Sequence, residues 1–206
     1  MNDNKKIYFY ITSILAFFIP IPGRFVFAFY ALILFNLQIF LLTLIFHGVD
    51  KLKIGGLKEP VLIFSIIFLT ILYKQFLYIF CPVVAITLGF CIYLPSISTF
   101  TIMFFFGKRV NSLTKHLINN MGTCAYNSLT CLVLFLLRDA LGYGTLTLPG
   151  WKRIIYVHLP FLSSDSHAGA FLATIPGALV LFSVLLAGYI FVKQRFDIIA
   201  RKGAEQ

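Results

Sequence analysis

Few residues in this 206-residue chain have a type and spacing suited to chemistry, and all of them stand in apolar surroundings. The first is a pair of adjacent opposite charges, Arg138-Asp139, followed by Gly142-Tyr-Gly144-Thr-Leu146. A charge at the end of an apolar stretch is costly unless it is paired or wet. The pair therefore reads either as part of an ion path or as an ion-paired helix end closed by a glycine cap. Lys74 poses the same problem inside the stretch 61–81. It either snorkels to the interface or lines a pathway. Four thiols, Cys81, Cys91, Cys124 and Cys131, lie in or near apolar stretches, and no pair has a zinc or redox spacing. Such thiols read as inert and buried. His47, His116, His158 and His167 form no His-x-x-x-His or Glu-x-x-His pattern. No Ser-His-Asp set, phosphate loop or dinucleotide fingerprint is present. The chain on its own reads as non-catalytic.

The elements that must position these residues follow from composition. Hydrophobic residues make up 60% of the chain and charged ones 12%, with a mean hydropathy of +0.93. That excludes an ordinary soluble domain. A helix needs roughly 20 apolar residues to cross a bilayer. Six stretches approach this length: 7–22, 25–46, 61–81, 83–106, 123–141 and 168–192. The sequence thus predicts an all-α integral membrane protein, 1–206 forming a single polytopic domain. Lys5 and Lys6 precede the first apolar run, but no small-x-small cleavage site stands before Pro20 and Pro22, so a signal peptide is not expected.

A net charge of +10 raises nucleic acid as a partner. Its distribution points to the membrane instead. The N-terminus, the second and fourth loops and the C-terminal tail hold 12 of the 17 basic residues. The remaining five are Arg24, Lys74, Arg138, Lys152 and Arg153. Positive charge stays on the cytoplasmic side, which places both termini there. An even number of spans requires the same.

Spans one and four carry helix breakers: Pro20-Ile-Pro22-Gly23 in one, Pro95 with Ser96, Ser98, Thr99 and Thr101 in the other. Proline removes a backbone donor. At membrane depth an irregular backbone is tolerated only inside protein or beside a cavity. These are matched positions if the chain is two three-span halves, about 7–81 and 83–192. The pattern fits either two inverted three-helix repeats with spans 1 and 4 interrupted, or two ordinary proline kinks. Gly169, Ala173 and Gly177 recur at four-residue spacing in span six, a small-residue face for close helix packing. The segment 142–167, rich in turn residues and holding the single tryptophan, Trp151, predicts an ordered loop at the far membrane surface.

The order Arg138-Asp-Ala-Leu-Gly-Tyr-Gly-Thr-Leu146, a polar loop, Ala170-Phe-Leu-Ala-Thr-Ile-Pro-Gly-Ala178 and a basic tail resembles the RnfE/NqrD family. These are membrane subunits of the Rnf complex and of the sodium-translocating NADH:quinone reductase. The resemblance covers about residues 88–200 and is fainter upstream. It implies a six-span inverted repeat in the inner membrane, paired with a homologous six-span subunit beside flavin-bearing subunits. It also implies that Arg138-Asp139 stands where the family has Arg-Glu, in an ion path or a contact with a quinone- or flavin-bearing subunit. Family members share a 2Fe-2S cluster between the paired subunits, held by cysteines. Here Pro95, Thr99, Phe100 and Thr101 stand where the family has proline, threonine, asparagine and a ligand cysteine. No cysteine precedes Cys81, so the first-span ligand is missing as well. A threonine hydroxyl is too hard a ligand to replace a thiolate in such a cluster. No cofactor is therefore expected in this chain. A different class fits the composition equally well: the substrate-binding membrane component of a small-solute or vitamin transporter. The Arg-Asp–glycine turn and the Ala-Thr-Ile-Pro-Gly segment favour the first reading.

Overall fold

A bilayer offers the backbone no hydrogen bonds, so long apolar stretches must satisfy their own peptide groups as helices. The computed structural model describes residues 17–51, 57–106, 113–150, 153–159 and 167–204. Its helices are α1 (Phe25–Lys51), α2 (Lys58–Phe80), α3 (Pro82–Leu88), α4 (Leu94–Phe106), α5 (Leu113–Tyr143), α6 (His167–Ala173) and α7 (Ile175–Ala204). A 3-10 turn, Cys91–Tyr93, joins α3 to α4. Two strands, β1 (Thr145–Pro149) and β2 (Ile154–His158), pair antiparallel between α5 and α6. They are absent from the all-α expectation. Gly144, at φ +63°, ends α5 and turns the chain directly into β1.

The central helix is α1. It packs most extensively on α5, then on α2 and α4, and it also touches β1. Its buried Leu34, Phe35 and Leu42 meet Phe18, Leu88, Ile92, Leu134 and Phe135 in one apolar core. Phe18 stands edge-on to Phe35 with ring centroids 5.9 Å apart. On α2, by contrast, Phe64, Phe68, Phe76 and Ile79 point outward. A helix that is apolar inside and out belongs in lipid.

Among the described residues, α1, Glu59–Phe80 of α2, and α5 are long and apolar enough to cross a bilayer. Pro82–Leu88 and Cys91–Phe100 meet that test only together, bent by 85°, as one broken span or a re-entrant loop. By length and composition the described helices thus include three candidate membrane spans, or four if the bent pair is one span. Most of the expected first span, 7–22, lies outside the described residues.

Two expectations about helix breaks need correction. The break in span four lies at Gly89–Phe90, not at Pro95–Thr101. Gly89 has φ +48°, a backbone conformation that suits glycine. Pro95 is the second residue of α4, where a missing N–H leaves nothing unpaired. Thr99 lies inside the same continuous helix and hydrogen-bonds the Pro95 carbonyl at 2.8 Å. Thr101 is also in α4, but its side chain lies outside the described residues. The second correction concerns span six, which is not one helix. It breaks at Thr174 into α6 and α7, so Gly169, Ala173 and Gly177 do not form one continuous face. Thr174 explains the break. Its hydroxyl donates to the Phe171 carbonyl at 2.6 Å and accepts from the Gly177 N–H at 3.3 Å. It therefore caps the first turn of α7, with Pro176 tolerated just inside. Gly177 packs directly on the Phe171 carbonyl and on Leu172, which leaves no room for a Cβ.

Candidate functional site

The last turns of α5 place Arg138 and Asp139 where three parts of the chain end. Arg138 is 2% exposed and Asp139 fully buried. They point to different partners. One guanidinium nitrogen of Arg138, Nη1, donates to the carbonyls of Ile19 (3.2 Å) and Ile21 (3.0 Å). Nη2 donates to the carbonyls of Ala173 (2.9 Å) and Thr174 (3.4 Å). These carbonyls belong to the turn 19–24 and to the end of α6, where helical pairing has stopped. A planar cation with several fixed donors can serve both sets at once. Cation and carbonyl ends attract, as at any helix C-terminus.

Asp139 works at the opposite polarity. Its Oδ2 accepts from the Thr147 N–H (2.7 Å), the Thr147 hydroxyl (2.6 Å) and the Phe25 N–H (3.2 Å). Thr147 Oγ1 in turn accepts from the Val26 N–H at 3.2 Å. A carboxylate thus sits at the positive end of α1, whose first N–H groups have no helical acceptor. It ties the hairpin to that end. Arg138 and Asp139 bind backbone at separate chain ends, so the expected ion-paired helix terminus takes a different form.

The surrounding glycines permit this closeness. A Cβ on Gly23 would stand 2.7 Å from Arg138 Nε, and one on Gly142 3.1–3.2 Å from Ala173. Pro20, Pro22 and Gly23 together hold the turn, with the Arg24 N–H bonded to the Pro22 carbonyl at 2.8 Å. The Pro20 carbonyl lies 3.9 Å from Cys91 Sγ. The turn 19–24 therefore touches both the α3–α4 break and, through Arg138, the α6–α7 break. Lys74 belongs to the same neighbourhood, its Nζ 5.4 Å from the ring centre of Tyr93 in the 3-10 turn.

Sequence reading missed two polar groups. Gln38, in the middle of α1, donates through Nε2 to Thr70 and Ser96, both at 2.9 Å. Its Oε1 accepts from Thr99 at 3.0 Å. Thr70 and Ser96 lie 2.7 Å apart. This buried set pins α1, α2 and α4 together. A glutamine within an apolar span was the available signal, since polar groups at that depth face other protein. The second group joins Tyr73, whose hydroxyl donates to the Tyr30 carbonyl at 2.8 Å, to Cys81. Cys81 Sγ lies 3.3 Å from both the Tyr30 hydroxyl and the Gly150 carbonyl.

The four cysteines stand apart in the described structure. Cys81 faces Tyr30 and the hairpin turn, Cys91 faces Pro20, and Cys124 and Cys131 lie two turns apart along α5. Among the described residues no three His, Cys, Asp or Glu side chains converge. An open groove of about 410 Å³ runs between α1 and α5, with Asn36 and Ser128 as its polar members. No protein-family model and no curated protein matches the chain.

Proposed function

We propose that the protein is a membrane-embedded subunit of an ion-translocating electron-transport complex of the Rnf/Nqr type. In this reading it folds as two inverted three-span repeats, sits in the inner membrane with both termini cytoplasmic, and pairs with a homologous six-span subunit beside flavin-bearing subunits. It would contribute scaffold and ion path rather than redox chemistry of its own. The observation that carries the reading is the junction at Arg138. Of the residues that give the sequence its family likeness, Arg138 holds the Ala173 and Thr174 carbonyls together with the turn 19–24, Gly23 and Gly142 permit the close approach, and Asp139 holds the hairpin that follows. Broken helices from separate stretches packed against one another are a feature of repeat-built membrane transporters.

The test is purification from native membranes with bound partners, followed by mass spectrometry and iron and flavin analysis. The expected result is a homologous six-span protein and flavin-bearing subunits. Replacing Cys81, Cys91, Cys124 and Cys131 together should leave the iron content of the complex unchanged. Recovery of an ATPase pair instead would replace this reading with that of a transporter component.

A further inference from the structure

Five buried side-chain polar atoms among the described residues have no hydrogen-bond partner in the protein, and four of them belong to residues at the start of α1, the end of α5 and the start of β1. They are Arg24 Nη1, Arg138 Nε, Asp139 Oδ1 and Thr145 Oγ1. Arg138 Nε stands beside Gly23, the residue before Arg24, where an added Cβ would lie 2.7 Å from it. Arg24 precedes Phe25, whose N–H is bonded to Asp139 Oδ2. Its guanidinium carbon lies 4.6 Å from the ring centre of Tyr143, one turn beyond Asp139, and 5.0 Å from that of Tyr156. Tyr156 pairs with Thr147 across the hairpin, and Thr145 lies on the same hairpin face. Thr147 is the residue that holds Asp139.

Leaving a buried donor or acceptor unpaired is strongly unfavourable, so such atoms are rare unless water or an ion meets them. Four in one small region call for a shared partner. The chemistry selects it. Two guanidinium N–H groups can only donate, and a carboxylate oxygen can only accept. A metal cation would face two arginines, and an anion would face a carboxylate. Water both donates and accepts, and buried waters commonly make about three hydrogen bonds each. We propose that Arg24, Arg138, Asp139 and Thr145 enclose a small hydrated site at the hairpin end of the bundle, with ordered water on Asp139 Oδ1. The site gives the one buried carboxylate of the described bundle a wet face as well as the peptide-bonded one. It stands on this geometry alone and does not depend on the proposed complex.

Radiolytic labelling of the full-length protein in lipid nanodiscs tests it, because hydroxyl radicals formed from bound water oxidise adjacent side chains. Tyr143 should be oxidised several-fold faster than Tyr73, whose hydroxyl is bonded to the Tyr30 carbonyl. A bulk radical scavenger should protect the exposed Tyr156 far more than Tyr143. Thr145→Val should reduce Tyr143 labelling several-fold without changing that of Tyr156. If that variant does not fold, density maps of the wild type decide: a water peak at hydrogen-bond distance from Asp139 Oδ1 supports the site. Equal labelling of Tyr143 and Tyr73, or a map with no such peak, would overturn it. A bromide peak there after exchange of chloride for bromide would also overturn it, in favour of an anion site.

Discussion

At the scale of single residues, the junction depends on Arg138 serving carbonyls from two directions. Arg138→Met should lower stability by about 3–5 kcal/mol, because it leaves buried polar groups without their charged partner. Arg138→Lys should recover only part of that loss, since a point charge on a flexible stem cannot reproduce the planar fork. Thermal unfolding in nanodiscs reads both. At Asp139, replacement by Asn keeps an acceptor for Phe25 and Thr147, so it should cost less than replacement by Ala. The Ala variant strands N–H groups at the start of α1, each worth about 1–3 kcal/mol. An equal cost for both would show that charge rather than acceptor geometry holds the hairpin. Gly23→Ala and Gly142→Ala should each destabilise by about 1–3 kcal/mol through overpacking. Arg138 and Asp139 were legible in the sequence because ionised side chains stand out in an apolar stretch. Their partners were not, because backbone carbonyls and N–H groups carry no residue signature. Thr147 looked like an ordinary loop threonine until the hairpin placed it against the carboxylate.

At the scale of elements, length and apolar content were sufficient to expect α1, α2 and α5, whose extents differ from the expected spans mainly at their ends. Breaks were harder to locate. Pro95 drew attention because proline interrupts helices, yet in a first turn it is harmless, and the bend belongs to Gly89 six residues earlier. Gly89→Ala should cost about 1–3 kcal/mol, as expected for an L side chain forced into a sparsely populated backbone region. Pro95→Ala should be close to neutral in the same melting assay. A larger effect at Pro95 than at Gly89 would place the hinge where the sequence first suggested. The Thr174 break was hidden by the apolar residues around it, although Thr-Ile-Pro-Gly is a helix-start pattern. The strands were short, and the turn-rich segment around them reads as loop. Gln38 tests the central packing: Gln38→Leu removes the group that joins Thr70, Ser96 and Thr99, and should cost about 1–2 kcal/mol, the range of interhelical hydrogen bonds in membranes. A stabilising outcome would mean that these hydroxyls are satisfied within their own helices, as Thr70 and Thr99 partly are through Ile66 and Pro95.

At the scale of the molecule, the contacts fix which helix ends lie together, and charge then predicts which side they face. Asp139 and Thr147 join the start of α1 to the end of α5, and Cys81 joins the end of α2 to the hairpin turn at Gly150. Arg138 brings in the end of α6, directly before α7. The end of α1 and the starts of α2 and α5 therefore lie at the opposite end. That end carries Lys51, Lys58 and Lys115, and Lys53, Lys108 and Arg109 are close to it in sequence. Helix α7 starts at the junction and spans 30 residues, about 45 Å at the helical rise. It carries Lys193, Arg195, Arg201 and Lys202 in its last turns. The junction end has Arg24 and Arg153, with Arg138 committed to carbonyls. Basic loops stay in the cytoplasm. Reporter fusions at residues 54, 112 and 206 should therefore read cytoplasmic, and one at 155 external. A fusion at residue 5 should read cytoplasmic if the stretch 7–22 crosses the bilayer once. A cytoplasmic reading at 155 would invert the bundle and put the Arg138 junction on the inner face. An external reading at residue 5, with the others as expected, would instead show that 7–22 does not cross and that the chain has an odd number of spans.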